Sequence, residues 1–357
     1  MPMPKTKTPK VQQSIASKKP LWQGPEKDGV TQSLLNLFLM CRERFRVKVI
    51  DGLGPADNFN HRLEYGNLWH TCEEAHAKNE DPLKALKDYA NGLLRRYPSS
   101  QGEVEKWYLI CKMQFPIYAN YWKKHPDVKD RTPLYQEEVF NVPYLLPSGR
   151  TVSMKGKFDS VDVIGKKSIY LQENKSKGSL DEELLQKQLT FDLQTMFYLV
   201  ALKIWLRSHD ISTPVHGVRY NVICRPFAGG KGMIRQKQAT KTTREETLPE
   251  LIERLKTDYI LVEPEYWFMR WKVMIGQSDC QRFCDEFLTP ILEQLCDWWE
   301  ALQTEGGNRS KYHYRTPYGI YNPLAEGYMT DVDEYVATGS TAGLQKLETL
   351  FPELEVI

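Results

Sequence analysis

From Thr31 onward the apolar residues Leu34, Leu35, Phe38, Leu39 and Phe45 recur at helical spacing, so the ordered chain is predicted to open with a helix. The Gly-, Pro- and Asn-rich stretch from Asp51 to Asn60 predicts a loop, and a second helix then carries His70, Glu73 and Glu74. His70 and Glu74 lie four apart and share a face, with Glu73 three residues from His70. Residues 83 to 125 read as two helices broken near Pro98-Ser99-Ser100, with Trp107, Tyr108, Ile110, Cys111 and Phe115 as packing positions. After this the period changes to two. Strands are predicted from Glu137 to Pro143 and from Arg150 to Val163, joined by a Leu-Pro-Ser-Gly turn. A Gly-Lys-Lys turn at Gly165 then makes a hairpin with the run ending at Lys175. Ser179 and Glu182 form a capping box that predicts one long helix to about Arg207. Strands follow at Pro214 to Ile223 and Trp267 to Ile275. In the latter, Trp267, Met269, Trp271 and Val273 face one way and Arg270 and Lys272 the other. A helix from about Asp279 to Gln303 has Phe283, Phe287, Ile291 and Leu295 on one stripe and a kink at Pro290. Residues 308 to 330 are irregular, and no internal repeat is present.

Composition narrows the class. The chain has 357 residues, 41% of them hydrophobic, with nine Trp, nineteen Tyr and thirteen Phe, enough for a sizeable core in one large or two ordinary domains. Its formal charge of +2 excludes a globally basic coat for nucleic acid. The charge is uneven, however: the first twenty residues hold five lysines and no acid, which leaves the remainder at −3. Residues 1–25 are therefore read as a disordered basic tail, followed by one domain over 26–330 and a C-terminal tail, 331–357, packing on it. A second basic segment, the loop over 225–247, carries Arg225, Lys231, Arg235, Lys237, Lys241 and Arg244 with no acid as far as Arg244; it is a candidate for tracking a phosphate backbone. Its Gly-Gly-Lys-Gly run has neither the spacing nor the Ser or Thr of a P-loop. Seven scattered cysteines do not make a disulfide framework and suggest a reducing compartment. No apolar run is long enough for a transmembrane helix, and the N-terminus has no secretory h-region.

The chemistry concentrates at the hairpin. Gly156-Lys157-Phe158-Asp159 is followed, fourteen residues after the aspartate, by Glu173-Asn174-Lys175. Residues two apart in a strand project to one face, so Glu173 and Lys175 point together and Asn174 points away, with Asp159 available from the partner strand. Two carboxylates and an ammonium suit phosphodiester hydrolysis assisted by a hard divalent cation.

This pattern resembles the PD-(D/E)xK nuclease superfamily, with Gly-Lys-Phe-Asp standing where its RecB-like exonuclease branch has Gly-x-x-Asp. Three further elements are similar and fall in the family's order over about residues 33 to 200: the stretch Ser33 to Cys41 with Phe45, then Gly66-Asn67-Leu68-Trp69-His70, and Gln194 with Tyr198 as Gln-x-x-x-Tyr. The resemblance implies an α/β fold with a restriction-endonuclease-like core, a central mixed β-sheet flanked by helices, a helical N-terminal part and a helical C-terminal extension. It implies Mg²⁺ or Mn²⁺ held by Asp159, Glu173, His70 and the Asn174 carbonyl, with catalytic roles for Lys175, Gln194 and Tyr198. An additional acid is expected at Glu137 or Glu138, the inward one depending on register and Glu138 being preferred, and another at Glu74. Arg225, Lys231, Arg235, Lys237, Arg270 and Lys272 are the candidate nucleic-acid contacts. The resemblance further implies a deoxyribonuclease acting on DNA ends in recombination, repair or phage DNA processing; the alternatives are a non-catalytic nucleic-acid- or protein-binding module on the same fold, or a defence-type endonuclease. The cysteine usage and the N-terminus lead us to expect the cytoplasm of a prokaryotic cell or virus-infected host, and with no helicase P-loop any unwinding would come from a helicase or recombination partner. Relatives that anchor an iron–sulfur cluster use one early and three late cysteines. Cys41 has the early place, but 308 to 330 holds no cysteine, and Cys280, Cys284 and Cys296 read as helix packing, so no cluster is expected. Asn174 and Ser176 depart from the family, whose members usually carry an apolar or aromatic residue and Thr there.

Overall fold

The computed structural model describes residues 21–165, 167–190, 192–227, 234–304 and 327–354. The chain enters through Trp22, which is fully buried, donates its indole N–H to the Gly29 carbonyl at 2.8 Å and packs edge-on to Phe45. Ordered packing thus begins before the end of the expected tail. A short strand β1 (Val30–Thr31) leads into α1 (Gln32–Met40), whose first turn is capped by Thr31 Oγ1. Cys41, in extended backbone, separates α1 from α2 (Arg42–Arg46). Phe38 and Phe45 both meet Trp298, at 6.1 and 5.0 Å, so this N-terminal unit closes over the C-terminal helices.

Within the expected 51–60 loop, β2 (Leu53–Pro55) pairs antiparallel with β8 (Leu344–Lys346), an association no local pattern announces. Then come α3 (His61–Ala77), capped by Asn60, α4 (Pro82–Arg96), capped by Asp81 with Pro82 in its first turn, and α5 (Gln101–Lys124). The break between α4 and α5 falls at Pro98–Ser100.

The sheet is mixed. β3 (Arg131–Leu145) and β4 (Thr151–Ile164) run antiparallel along their whole length, with one register shift between Pro133 and Tyr135. On its other edge β4 meets β1 at Met154 and Lys155, and β5 (Ser168–Lys177) from Ser160 onward. β5 pairs parallel with β6 (Val215–Cys224), which pairs antiparallel with β7 (Phe268–Met274). Between β5 and β6 the expected single helix is two: α6 (Glu182–Leu189), capped by Asp181 rather than Ser179, and α7 (Leu193–Ser208), capped by Asp192, which accepts from the Gln194 and Thr195 amides. The two cross at 52°. A second good N-cap in mid-sequence ended the first helix and began another.

Beyond β6 lie α8 (Leu248–Leu255), α9 (Pro264–Trp267), α10 (Gln277–Phe283), α11 (Thr289–Thr304) and α12 (Gly327–Thr338). A wide π-helical turn, Cys284–Leu288, joins α10 to α11 just before Pro290, where an amide donor is missing. No single helix among the described residues is long and apolar enough to cross a membrane. The main buried apolar cluster runs from Trp22 to Leu350, and a smaller one joins Val47, Leu53 and Val332.

Candidate active site

The glycine of Gly-Lys-Phe-Asp has a steric reason. A Cβ on Gly156 would lie 2.5 and 2.6 Å from the Phe140 ring and 3.0 Å from Tyr198. Phe140 crosses the strand at that point, stacks on Phe158 at 4.3 Å and meets Tyr198 edge-on at 5.3 Å. This aromatic trio fixes the strand one residue before Asp159. The Asp159 carboxylate is anchored in turn, accepting the Asn174 amide N–H at 2.7 Å where the β4–β5 ladder opens.

On β5, Glu173 and Lys175 do project together, with Lys175 Nζ 3.0 Å from Glu173 Oε2. Gln194, set in the first turn of α7 by the Asp192 cap, closes the arrangement: it accepts from Lys175 Nζ at 2.6 Å and donates to Glu173 Oε2 at 3.1 Å. Tyr198, one turn on, contributes its ring to the Phe140 and Phe158 packing. Asn174 turns to the opposite face as expected, and its side-chain oxygen accepts from Gln172 at 3.1 Å and from Asn221 at 3.0 Å.

Helix α3 approaches at Gly66, where an added Cβ would stand 3.5 Å from Ser176 Oγ. This brings the next turns, with half-buried His70 and buried Glu73, to the site. Glu73 Oε1 accepts from Tyr118 at 2.9 Å and Asn221 at 2.6 Å, while Oε2 is buried without a partner. Glu74, the acid expected here, is instead half-exposed and bound to Lys78 at 2.5 Å, with Lys157 3.9 Å away. Spacing alone placed Glu73 within reach of His70 without choosing it over Glu74; Tyr65, Leu68, Trp69 and Cys72 put Glu73 on the buried stripe of α3. Of the two neighbouring acids it is Glu137, not Glu138, that lies beside Asp159. The β3–β4 register sets it opposite Asp159, and Lys157 Nζ lies 2.7 Å from its carboxylate. Glu137 holds a left-handed backbone (φ 51°), an unfavourable conformation for a residue with a Cβ. Glu138, the residue preferred from the sequence, has the parity of Phe140 and Val142, the buried positions of β3.

Electrostatics mark the same cluster. Burial, reinforced by the Asp159 charge, pushes Glu173 and Glu137 each up to about 7. Glu73 is likewise raised by burial, against the pull of His70 and with Asp159 adding to the rise. Burial opposes the Lys175 charge, but Glu173 and Asp159 outweigh it and hold the ammonium above its ordinary value. Among the described residues no three His, Cys, Asp or Glu side chains meet as a ready-made metal cage. Lys175 and Lys157 stand between the acids instead. The donor set nevertheless fits a divalent cation. Glu173 Oε1 and Glu73 Oε2 are buried acceptors without partners, and burial, with the Asp159 charge beside it, makes Glu173, Glu137 and Glu73 resist ionisation, which a cation would relieve.

The expected nucleic-acid contacts separate. Arg270 is spent internally: it bonds Asn221 at 2.9 Å and Tyr118 at 2.7 Å, pairs with Asp127 at 3.3 Å and lies over Trp122. Arg225 is buried rather than part of an exposed loop. Arg235 and Lys237 are exposed, and Lys272 is exposed over the Tyr170 ring. Lys231 lies outside the described residues.

Compared with known families, residues 30–285 match the model of the PD-(D/E)XK nuclease superfamily, a span that contains His70, Glu137, Asp159, Glu173, Lys175 and Gln194. No curated protein matches the chain.

Proposed function

The chain belongs to the PD-(D/E)XK nuclease superfamily, and from that premise we propose that it is a metal-dependent deoxyribonuclease of the RecB-like branch that hydrolyses DNA from its ends. The observation that carries the reading is Glu173: buried, one oxygen locked by Lys175 and Gln194, the other unpartnered beside Asp159. A carboxylate held this way serves no packing purpose, since an unpaired buried acceptor costs roughly 1–3 kcal/mol.

Asp159 and Glu173, with His70 and the free oxygen of Glu73, would hold the cation, and the imidazole suits Mn²⁺ somewhat better than Mg²⁺. When bound, that ion supplies Lewis-acid polarisation of the phosphoryl group and a nucleophile at neutral pH. The remaining work falls to the chain's own groups. Lys175, kept charged by its acidic neighbours, offsets the negative charge that develops on the phosphoryl oxygens. Gln194 aims Lys175 by accepting one of its hydrogens. Lys157 holds Glu137 at the edge of the site.

The test is degradation of end-labelled linear DNA with Mn²⁺, Mg²⁺ or EDTA, beside covalently closed circular DNA. Expected is metal-dependent loss of label from linear DNA only, reduced about 10²–10³-fold or more by Lys175→Ala and by Asp159→Ala. Cleavage of closed circles would replace the end-directed reading with an endonuclease. A folded protein that binds DNA and cuts neither form would be a binding module on this fold.

A further inference from the structure

At the C-terminal end of β6, next to the strand that carries Glu173 and Lys175, stands the guanidinium of Arg225. Arg225 is 8% exposed, and its Nε is buried without a hydrogen-bond partner. Among the described residues no carboxylate pairs with its guanidinium. Its surroundings add positive charge. Arg62 of α3 lies close enough to act on it, and His61 is held below its ordinary value by burial and by the cations of Arg225, Arg62 and Lys106, with Glu103 the opposing acid. Two arginines and a lysine gathered at the start of a helix also run against the helix dipole, which favours an anion there.

The position is built, not accidental. The Arg225 amide donates to the Lys177 carbonyl at 2.7 Å, so the residue is tied to the end of the catalytic strand. At about 3.3 Å of rise per residue, Lys177 lies roughly 7 Å beyond Lys175. The turn that follows is pinned through Phe227, held in left-handed backbone (φ 66°) against Trp107 at 6.0 Å. A protein that leaves an arginine buried and unpaired forgoes several kcal/mol unless a ligand completes it.

Resting on the nuclease reading for the identity of the ligand, we propose that Arg225 and Arg62 form a binding site for a second phosphate of the substrate strand, adjacent to the one that is cleaved. The site sets the strand's register over Lys175 and gives binding part of its salt dependence. The phosphate is either an internal phosphodiester or the terminal phosphate of a DNA end, and the two are distinguishable.

The experiment measures binding of a fluorescein-labelled oligonucleotide to the full chain in the Lys175→Ala background, so that the strand is not consumed, over a range of salt. Arg225→Met is expected to raise Kd about tenfold and to lower the slope of log K against log salt by about one. Because the substitution removes an unpaired buried charge, its Tm should equal or exceed that of the parent. A purely structural arginine would give a lower Tm. Arg62→Gln, on an exposed residue, should lower the slope similarly and decides the matter if Arg225→Met does not fold. Loss confined to 5′-phosphorylated oligonucleotides assigns the terminal phosphate, and equal loss with 5′-hydroxyl strands assigns an internal one. An unchanged Kd and slope in folded variants, or a lower Tm with unchanged slope, overturns the site. If the wild type shows this binding yet cuts no DNA with any metal, the nuclease reading fails and the phosphate site stands.

Discussion

Replacing Gly156 by alanine tests whether the motif glycine acts through packing. The new Cβ would sit 2.5 Å from one carbon of the Phe140 ring and 2.6 Å from another. Carbon atoms prefer about 3.5–4.0 Å, so the ring has to withdraw by about 1 Å or more. It has nowhere to go: Phe140 is fully buried, stacked on Phe158 and bounded by Tyr198. Overpacking of this kind costs about 1–3 kcal/mol, and the lower backbone entropy of alanine returns only about 0.5–1. The net loss is then at most about 2.5 kcal/mol, and at about 2–4 °C per kcal/mol for domains of roughly 150–250 residues, and less in a longer chain, Tm should fall by up to about 10 °C. Activity should fall further than stability, because Phe158 adjoins Asp159 and any shift of the trio moves the carboxylate. The assay is thermal unfolding together with single-turnover cleavage, extended to a cycle with Phe140→Leu. The smaller side chain makes room for the methyl, so the double variant should be more stable than the sum of the two losses predicts, by about 0.5–3 kcal/mol. Additive losses, or a Gly156→Ala protein as stable and active as the wild type, would refute a steric role for the glycine.

Gln194→Leu removes both bonds that orient Lys175 and Glu173. At about 1–3 kcal/mol for a lost bond to a charged group, kcat should fall roughly 10–100-fold with little change in KM, and a kcat within twofold of the wild type would remove Gln194 from the machinery. A third expectation concerns pH in the metal-free protein. Glu173 and Glu137 have folded pKa values raised to about 7, so between the unfolded value and 7 the native state binds more protons than the unfolded chain, and their contribution to stability declines as pH rises through that window. Glu137→Gln should therefore gain stability relative to the wild type between pH 5 and 8 in EDTA, on the order of 2 kcal/mol. Mn²⁺ should stabilise the wild type more at pH 8 than at pH 5.5. A constant difference between Glu137→Gln and wild type across pH would show that Glu137 does not carry the raised carboxyl.

Much of the site was legible because its chemistry is local. Glu173 and Lys175 share a face by strand geometry alone, and the hairpin that presents Asp159 beside them is written in β-branched runs around Gly165. What escaped the sequence was decided by partners far along the chain. Asp192 looked like one polar residue in a long amphipathic run. Its capping of α7 instead splits that run, and the split puts Gln194 within reach of Lys175. The choice of Glu137 over Glu138 turned on the pairing of β3 with β4, fixed by the residues across the ladder and not by β3 itself.

Asn174 shows the same dependence in its strongest form. An amide where relatives carry an apolar or aromatic residue would be costly on a dry sheet face, but this face is not dry. Asn174 joins Gln172, Asn221, Tyr118 and Arg270 in a bonded layer that ends on Glu73. Next to it, Arg219, 1% exposed, is gripped by Asp127 at 2.7 and 2.9 Å and lies 3.4 Å from Asp162. Such a layer is weak evidence for stability, since apolar side chains of the same volume would do as well, but removing one partner from it costs about 3–5 kcal/mol. Its consequence is therefore directional. β5 is held from one side by Gln194 and from the other by this network, and the network grips Glu73 by one oxygen while leaving the second free. The polar face thus fixes one oxygen of the Glu73 carboxylate and leaves the other without a partner, and the unusual asparagine is tied to that carboxylate through Asn221 although it points away from Glu173 and Lys175.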